Sequence, residues 1–145
     1  MITFFILFQK GVIPVKKIDY LSTLFVGIDI ASRINVVSAI DFNQDYFIKM
    51  KPAPNSQEGA KFLETMIVDV LGNNHQFKYV IIGMESTGFY GVHIANYLSA
   101  SDTLAPFSVH VYCLNPKEVK NYKKSFNDLG KNDGIDSFVI ADYAR

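Results

Sequence analysis

The chain has 145 residues, of which 49% are apolar and 19% are charged, so it is long and apolar enough for one domain with a sizeable core. Its 14 basic and 14 acidic residues balance, which excludes a globally basic nucleic-acid binder, so any contact with nucleic acid must come from a local patch. The single cysteine, Cys113, excludes an internal disulfide and a cysteine-rich zinc site, and this usage is typical of a cytoplasmic protein.

Residues 1–23 differ in composition from the rest of the chain. The apolar run at residues 2–8 is too short to span a bilayer, and it lacks the flanks of a signal peptide. Gly11, Pro14 and a pair of lysines after them are typical of a linker. We therefore predict a poorly ordered extension over residues 1–23, one folded domain over residues 24–145, and no membrane contact.

Three strands are predicted next, joined by short links. Residues 24–30 form a near-continuous apolar run, which is typical of a strand covered on both faces. β-Branched residues alternate over residues 33–41, and the short link before them favours an antiparallel hairpin. A third strand is predicted over residues 45–51, closed by Pro52 and Pro54.

Helices and strands then alternate to the end of the chain. The predicted elements are a helix from Asn55 or Ser56 to about residue 71, a strand over 79–84, a helix over 89–100, a strand over 107–114, a helix over 117–126 capped by Asn115, and a last helix from Asp133 into Arg145. The order β-β-β-α-β-α-β-α-α predicts an α/β protein with the RNase H-like (RuvC-like) fold. In that fold a five-stranded mixed sheet is flanked by helices, and the first strand is central with the fourth parallel beside it.

Four carboxylates are candidates for one site. Asp29 and Glu85 each end an apolar strand, where a carboxylate without a partner would be costly to bury. Asp133 and Asp136 are three residues apart, so a helix would place them on one face, where like charges repel unless a cation lies opposite. Mg²⁺ prefers such all-oxygen ligands, and a pair of ions about 4 Å apart supports phosphodiester cleavage. All four acids are therefore candidate catalytic and metal-binding residues.

A local basic patch is also present. Lys117, Lys120 and Lys124 recur at helical spacing, with Lys123 alongside them. These lysines either form a solvated face or contact phosphates, which would position nucleic acid without reading its sequence.

Five short motifs carry a family resemblance. They are VGIDIA at 26–31, MESTGFY at 84–90, NPKEVK at 115–120, KNDGID at 131–136 and IADYAR at 140–145. In this order and spacing, over residues 24–145, they resemble the N-terminal domain of the IS-one-ten family of insertion-sequence transposases. The resemblance implies a DEDD tetrad of Asp29, Glu85, Asp133 and Asp136 on a RuvC-like fold, which acts on DNA phosphodiesters in transposition with Mg²⁺ or Mn²⁺.

The resemblance has further implications and two departures. It implies a structured guide RNA, a homo-oligomer in the full-length form, and a second domain with a catalytic serine. The chain ends before such a domain, so we expect a fragment that is incomplete as an enzyme on its own. Asn132 and Gly134 stand where the family usually has Thr and Arg, and Gly134 weakens the start of the last helix and removes a phosphate contact.

Two alternatives stay open at this point. One is a half-domain of the sugar-kinase or actin-like ATPases, whose first phosphate loop also follows a Gly-Ile-Asp strand. That loop would need Gly or Thr directly after Asp29, where this chain has Ile30. The other is a non-catalytic remnant that binds nucleic acid. An ATPase half-domain would bind ATP, whereas a remnant would bind neither ATP nor Mg²⁺ at the four acids.

Overall fold

A single mixed sheet organises the protein. The computed structural model describes residues 4–6, 18–85, 88–126 and 135–145. The strands are β1 (Phe4–Ile6), β2 (Thr23–Asp29), β3 (Ile34–Ile40), β4 (Tyr46–Pro54), β5 (Tyr79–Glu85) and β6 (His110–Leu114), and the helices are α1 (Gln57–Asn73), α2 (Val92–Ser99), α3 (Pro116–Lys123) and α4 (Ile135–Ala144). None of the helices in these ranges is long and apolar enough to cross a bilayer.

The strand order in the sheet is β1-β6-β5-β2-β3-β4. β2, β3 and β4 form an antiparallel meander, and β5 and β6 continue the sheet parallel to β2 on its other side. β2 thus lies between β3 and β5, which confirms the predicted RNase H-like fold and all five of its strands. A sixth strand was not predicted: β1, from within residues 1–23, pairs antiparallel with the edge of β6.

The two faces of the sheet pack against different helices. Leu63 of α1 and Ile94 of α2 share one buried cluster with Val26 of β2 and Ile82 of β5. On the other face, Ala141 of α4 packs with residues that alternate with these along the strands, such as Phe25. Because side chains alternate along a strand, each central strand is covered on both faces, as its continuous apolar sequence predicts.

Several element boundaries differ from the prediction for local reasons. β4 continues through Pro52 and Pro54, because it is an edge strand and the missing N–H groups break no pairing within the sheet. α2 begins at Val92, after a turn over residues 88–91, and β6 begins at His110, after a short 3-10 helix at Ala105–Phe107.

Two predicted helix caps are present. The Ser56 hydroxyl accepts a hydrogen bond from the Gly59 amide (3.1 Å), and the Asn115 side chain accepts one from the Lys117 amide (3.0 Å). Each cap satisfies an amide that the first turn of a helix leaves without a partner inside the helix. Asn115 therefore fixes the point where the chain leaves β6 and enters the lysine-bearing helix α3.

Helix α4 lies directly on the sheet because β2 has a glycine at the crossing point. A Cβ atom on Gly27 would collide with the backbone oxygen of Ser137 and the backbone nitrogen of Ala141. The Ser137 hydroxyl is also 2.7 Å from that of Ser38 on β3, and both serines are fully buried. Gly27 thus determines how closely α4 approaches the sheet.

We predict that Gly27→Ala lowers the free energy of unfolding by about 1–3 kcal/mol, because the added methyl group meets backbone that can yield only if α4 shifts. Gly72→Ala is the matched control. A Cβ on Gly72, near the end of α1, meets nothing within 4 Å, so this variant should gain about 0.5–1 kcal/mol from helix propensity. Urea unfolding measures the free energy of unfolding of both variants. A Gly27→Ala variant as stable as wild type would contradict the close contact between β2 and α4.

Candidate active site

Two carboxylates lie side by side at the carboxyl end of the central parallel strands. Asp29 is the last residue of β2, Glu85 is the last residue of β5, and the two are in register as direct neighbours. By alternation, Asp29 lies on the same face of β2 as Gly27, which is the face that α4 covers. Glu85 follows the same alternation on β5. The sheet therefore brings together the two acids that the sequence placed at neighbouring strand ends.

A third carboxylate comes from α4. Asp136 lies in the first turn of that helix and is close enough for its negative charge to act on both strand acids. Asp133, the fourth predicted member, lies outside the described residues. The structure thus unites Asp29, Glu85 and Asp136.

Burial and mutual repulsion raise the pKa values of the two strand acids. Burial, together with the charges of Asp29 and Asp136, raises the pKa of Glu85 from 4.5 to about 7. Burial and the charge of Asp136 raise the pKa of Asp29 from 3.8 to about 6. The protonated form of the Glu85 carboxyl is therefore favoured more strongly than in an ordinary glutamate.

A lysine ammonium lies within this acid cluster. The Nζ atom of Lys123, at the end of α3, is 2.5 Å from Oδ1 of Asp136. Its positive charge lowers the pKa of both Asp29 and Glu85, although burial and the neighbouring carboxylates outweigh this effect. The ammonium thus supplies the cation that a cluster of like charges requires. Nothing in the sequence indicated the contact between Lys123 and Asp136.

Two of the acids, Glu85 and Asp136, and the lysine helix α3 line one cleft of about 470 Å³. Its lining residues are Glu85, Pro116, Lys117, Val119, Lys120, Lys123 and Asp136. Lys124, the fourth lysine of the predicted patch, is exposed and is not part of this lining. The lining of the cleft therefore combines two carboxylates with three lysines.

The carboxylate oxygens of the three acids are the donor type that a hard divalent cation prefers, but their present spacing does not form a complete metal site. All three acids offer carboxylate oxygens, which Mg²⁺ and Mn²⁺ prefer. Burial and the neighbouring carboxylates make the ionised forms of Asp29 and Glu85 costly, and a bound cation would reduce that cost. Among the described residues, however, no group of three or more His, Cys, Asp or Glu side chains is spaced to hold a metal ion. Lys123 holds Asp136, and Asp133 is outside this part of the chain.

A fifth acid, Asp142, anchors the helix that carries Asp136. Asp142 is only 3% exposed, and its carboxylate accepts hydrogen bonds from the Tyr122 hydroxyl (2.6 Å), the Gln44 amide (2.8 Å) and the Arg145 guanidinium (2.8 Å). Burial opposes its ionisation, but these three bonds outweigh burial and lower its pKa. The sequence analysis did not single out Asp142. Its position inside the apolar run of α4 was the available signal.

Comparison with known proteins identifies the domain. A family model described as a transposase, the DEDD transposase of the IS110 (IS-one-ten) type, matches residues 26–145. The chain belongs to this family. The transposase domain therefore comprises nearly all of the described chain, and it is a nuclease-type domain that acts on DNA. The family assignment favours this function over the ATPase half-domain.

Two solved structures of RuvC from Thermus thermophilus are similar to the transposase domain. One, of RuvC in complex with a Holliday junction substrate, has 13% sequence identity and a TM-score of 0.48, and the match covers 82% of this chain and 90% of that chain. The other has 13% identity and a TM-score of 0.49, with coverage of 81% and 90%. No curated protein matches the chain in sequence. Nuclease families of the DEDD type generally use divalent metal ions.

The raised pKa values predict a pH-dependent stability. Because Asp29 and Glu85 bind protons more tightly in the folded chain than in the unfolded chain, their contribution to the free energy of unfolding falls as pH rises from about 4 to 7 and stays unfavourable above. Glu85→Gln cannot ionise, so we expect it to be more stable than wild type at pH 8, with an advantage that shrinks towards pH 4.

Urea unfolding at one-unit intervals from pH 4 to 8 measures this difference. Asp69→Asn, on an exposed position of α1, is the control for loss of one negative charge. An advantage of Glu85→Gln that does not change with pH, or one that Asp69→Asn shares, would contradict the electrostatic origin.

Proposed function

We propose that Asp29, Glu85 and Asp136, joined by Asp133, are the catalytic and metal-binding acids that cleave DNA phosphodiesters during transposition. The observation that carries the proposal is the in-register pair of Asp29 and Glu85 on adjacent parallel strands, on the face covered by α4. Burial and repulsion leave this pair with an unmet demand for positive charge. A divalent cation is the partner that a DNA-cleaving domain of nuclease type would place there.

The acids and the lysines of the cleft have distinct roles in this proposal. Asp29, Glu85 and Asp136 would hold Mg²⁺ or Mn²⁺, and the chemistry such an ion supplies is activation of the attacking oxygen and stabilisation of the leaving oxygen. Lys123 must release Asp136 before this carboxylate can take part. A DNA phosphate in the cleft is a suitable anion to receive the freed ammonium. Lys117 and Lys120 contact neighbouring phosphates and position the strand.

The proposed partners follow from the family resemblance. DNA is the substrate of the domain. We propose in addition that a structured guide RNA and other copies of the protein assemble with the full-length form, and that a second, serine-bearing domain completes the reaction. The four acids are the part of this machinery that the domain contributes, and their metal binding can be tested on the domain alone.

We predict that Mn²⁺ raises the melting temperature of the domain, because the ion relieves repulsion between carboxylates and binds only the folded state. Asp29→Asn and Glu85→Gln should lose this gain while becoming more stable without metal. Lys123→Met should bind Mn²⁺ more tightly than wild type, because no ammonium competes for Asp136. Thermal melts and electron paramagnetic resonance of free Mn²⁺ provide the two measurements.

Asp69→Asn should retain the full Mn²⁺ response as the matched control. A structural salt-bridge cluster would behave in the opposite way, since Asp29→Asn or Glu85→Gln would then destabilise the metal-free protein. If Mn²⁺ leaves the wild-type melting temperature unchanged and no ion is bound, the metal site is refuted and the non-catalytic remnant is the better description.

For the lysines, we predict that replacing Lys117 and Lys120 with Ala weakens DNA binding equally for unrelated sequences. The slope of log K against log salt should become shallower by about 0.9 for each lost phosphate contact on a duplex. Lys61→Ala, an exposed lysine on α1 on the opposite face of the sheet, is the control. An unchanged slope in fluorescence anisotropy titrations would show instead that Lys117 and Lys120 form a solvated face without phosphate contacts.

A further inference from the structure

An exposed apolar surface lies at the same edge of the sheet as the acids. Nine large hydrophobic side chains are exposed among the described residues, and four of them belong to segments at this edge. Ile34 begins β3, directly after the loop that follows Asp29, whereas Phe89, Tyr90 and Val92 follow the end of β5. Phe89 is 89% exposed and Tyr90 is 52% exposed. Two aromatic rings are thus presented to solvent a few residues beyond Glu85.

A hydrogen-bond network fixes the aromatic turn, residues 88–91, beside the end of β2. The side-chain amide of Asn55 donates to the carbonyl oxygens of Ala31 (2.6 Å) and Tyr90 (3.1 Å), and its oxygen pairs with Nε2 of His93 (2.6 Å). Ala31 is two residues beyond Asp29, so Asn55 ties the turn to the segment that leaves the acid site. Gly88, with φ of +72°, provides the left-handed backbone that begins the turn.

The aromatic turn and the lysine cleft lie on opposite sides of the acids. The turn leads into α2, which packs with α1 on one face of the sheet. The lysines belong to α3, which packs with α4 on the other face. Asp29 and Glu85 end the strands between these two layers. A DNA strand that crosses this edge can therefore place its phosphates against the lysines and its bases against the rings.

We propose that Phe89 and Tyr90 form a stacking surface for unpaired bases of the DNA strand whose phosphodiester lies at the acids. This inference rests on the proposed function, because it needs a DNA strand at Asp29 and Glu85. Every base has a π-face, so aromatic stacking holds a strand without reading its sequence, and it contributes about 1–3 kcal/mol per base. Unpaired bases suit flat rings that lie across the acids from three lysines, which in the proposed function hold the phosphates of the same strand.

The test measures binding of the chain to two single strands of equal length by fluorescence anisotropy. One is normal DNA, and the other is an abasic strand with the same phosphates and no bases. Wild type should prefer the normal strand. Phe89→Leu and Tyr90→Leu, which keep an apolar side chain but remove the ring, should each weaken binding of the normal strand by roughly 5- to 150-fold and leave the abasic strand unaffected.

Three controls sharpen the result. Phe89→Trp should restore or exceed wild-type binding, because the indole retains a stacking face. Phe62→Leu removes a ring that is 49% exposed on α1 and should change nothing. The salt dependence should remain that of wild type in the Leu variants, since they keep every lysine.

Several outcomes would overturn the stacking surface. One is that wild type binds the normal and abasic strands equally, or binds neither. Another is that wild type binds the matching RNA strand more tightly than the DNA strand. A third is that the Leu variants bind the normal strand as tightly as wild type does. Mn²⁺ binding by the same variants separates this inference from the proposed function. Leu variants that bind Mn²⁺ normally while failing the strand test refute the stacking surface alone, whereas loss of Mn²⁺ binding by the wild type refutes the metal site on which it depends.

Discussion

The parallel pairing of β2 with β5 is the constraint on which the site depends. Each strand is a continuous apolar run that ends in an acid, and the register of the pair places Asp29 directly beside Glu85. Burial of two such strands is strongly favourable. This free energy offsets the repulsion between two carboxylates that the strand pairing holds side by side. The apolar core thereby stabilises an electrostatically unfavourable arrangement, which a cation would relieve in the proposed function.

Helix α4 carries two acids, Asp142 and Asp136, whose different environments give them different roles. Asp142 is buried and accepts three hydrogen bonds, so it remains charged and holds the helix against α3 and the β3–β4 turn. Asp136, less than two turns away, faces other carboxylates and has Lys123 as its charged partner. Close packing of α4 on Gly27 fixes the distance between this second group and the strand acids. The anchor and the site are thus separate features of the same ten residues.

The features that follow from local pattern were predictable from the sequence, and those that depend on distant contacts were not. Five of the six strands, two helix caps and the meeting of Asp29 with Glu85 follow from apolar runs, capping residues and strand order. Two of the three partners of Asp142, Gln44 and Tyr122, lie 98 and 20 residues away in the chain, and no periodicity links them to it. β4 was predicted too short because prolines usually end strands, and only its place at the edge of the sheet makes them acceptable.

The contact between Lys123 and Asp136 explains how this site can be both stable and ready for substrate. Without a cation, three carboxylates at one strand edge repel, and the ammonium offsets part of that cost within the chain. Both partners are about two-fifths exposed, so the ion pair is partly screened by water and can be exchanged at little cost. Lys123 also lines the cleft with Lys117 and Lys120. In the proposed function, an entering phosphate would compete for the same ammonium that Asp136 holds, so arrival of DNA and release of the Asp136 carboxylate would be coupled events.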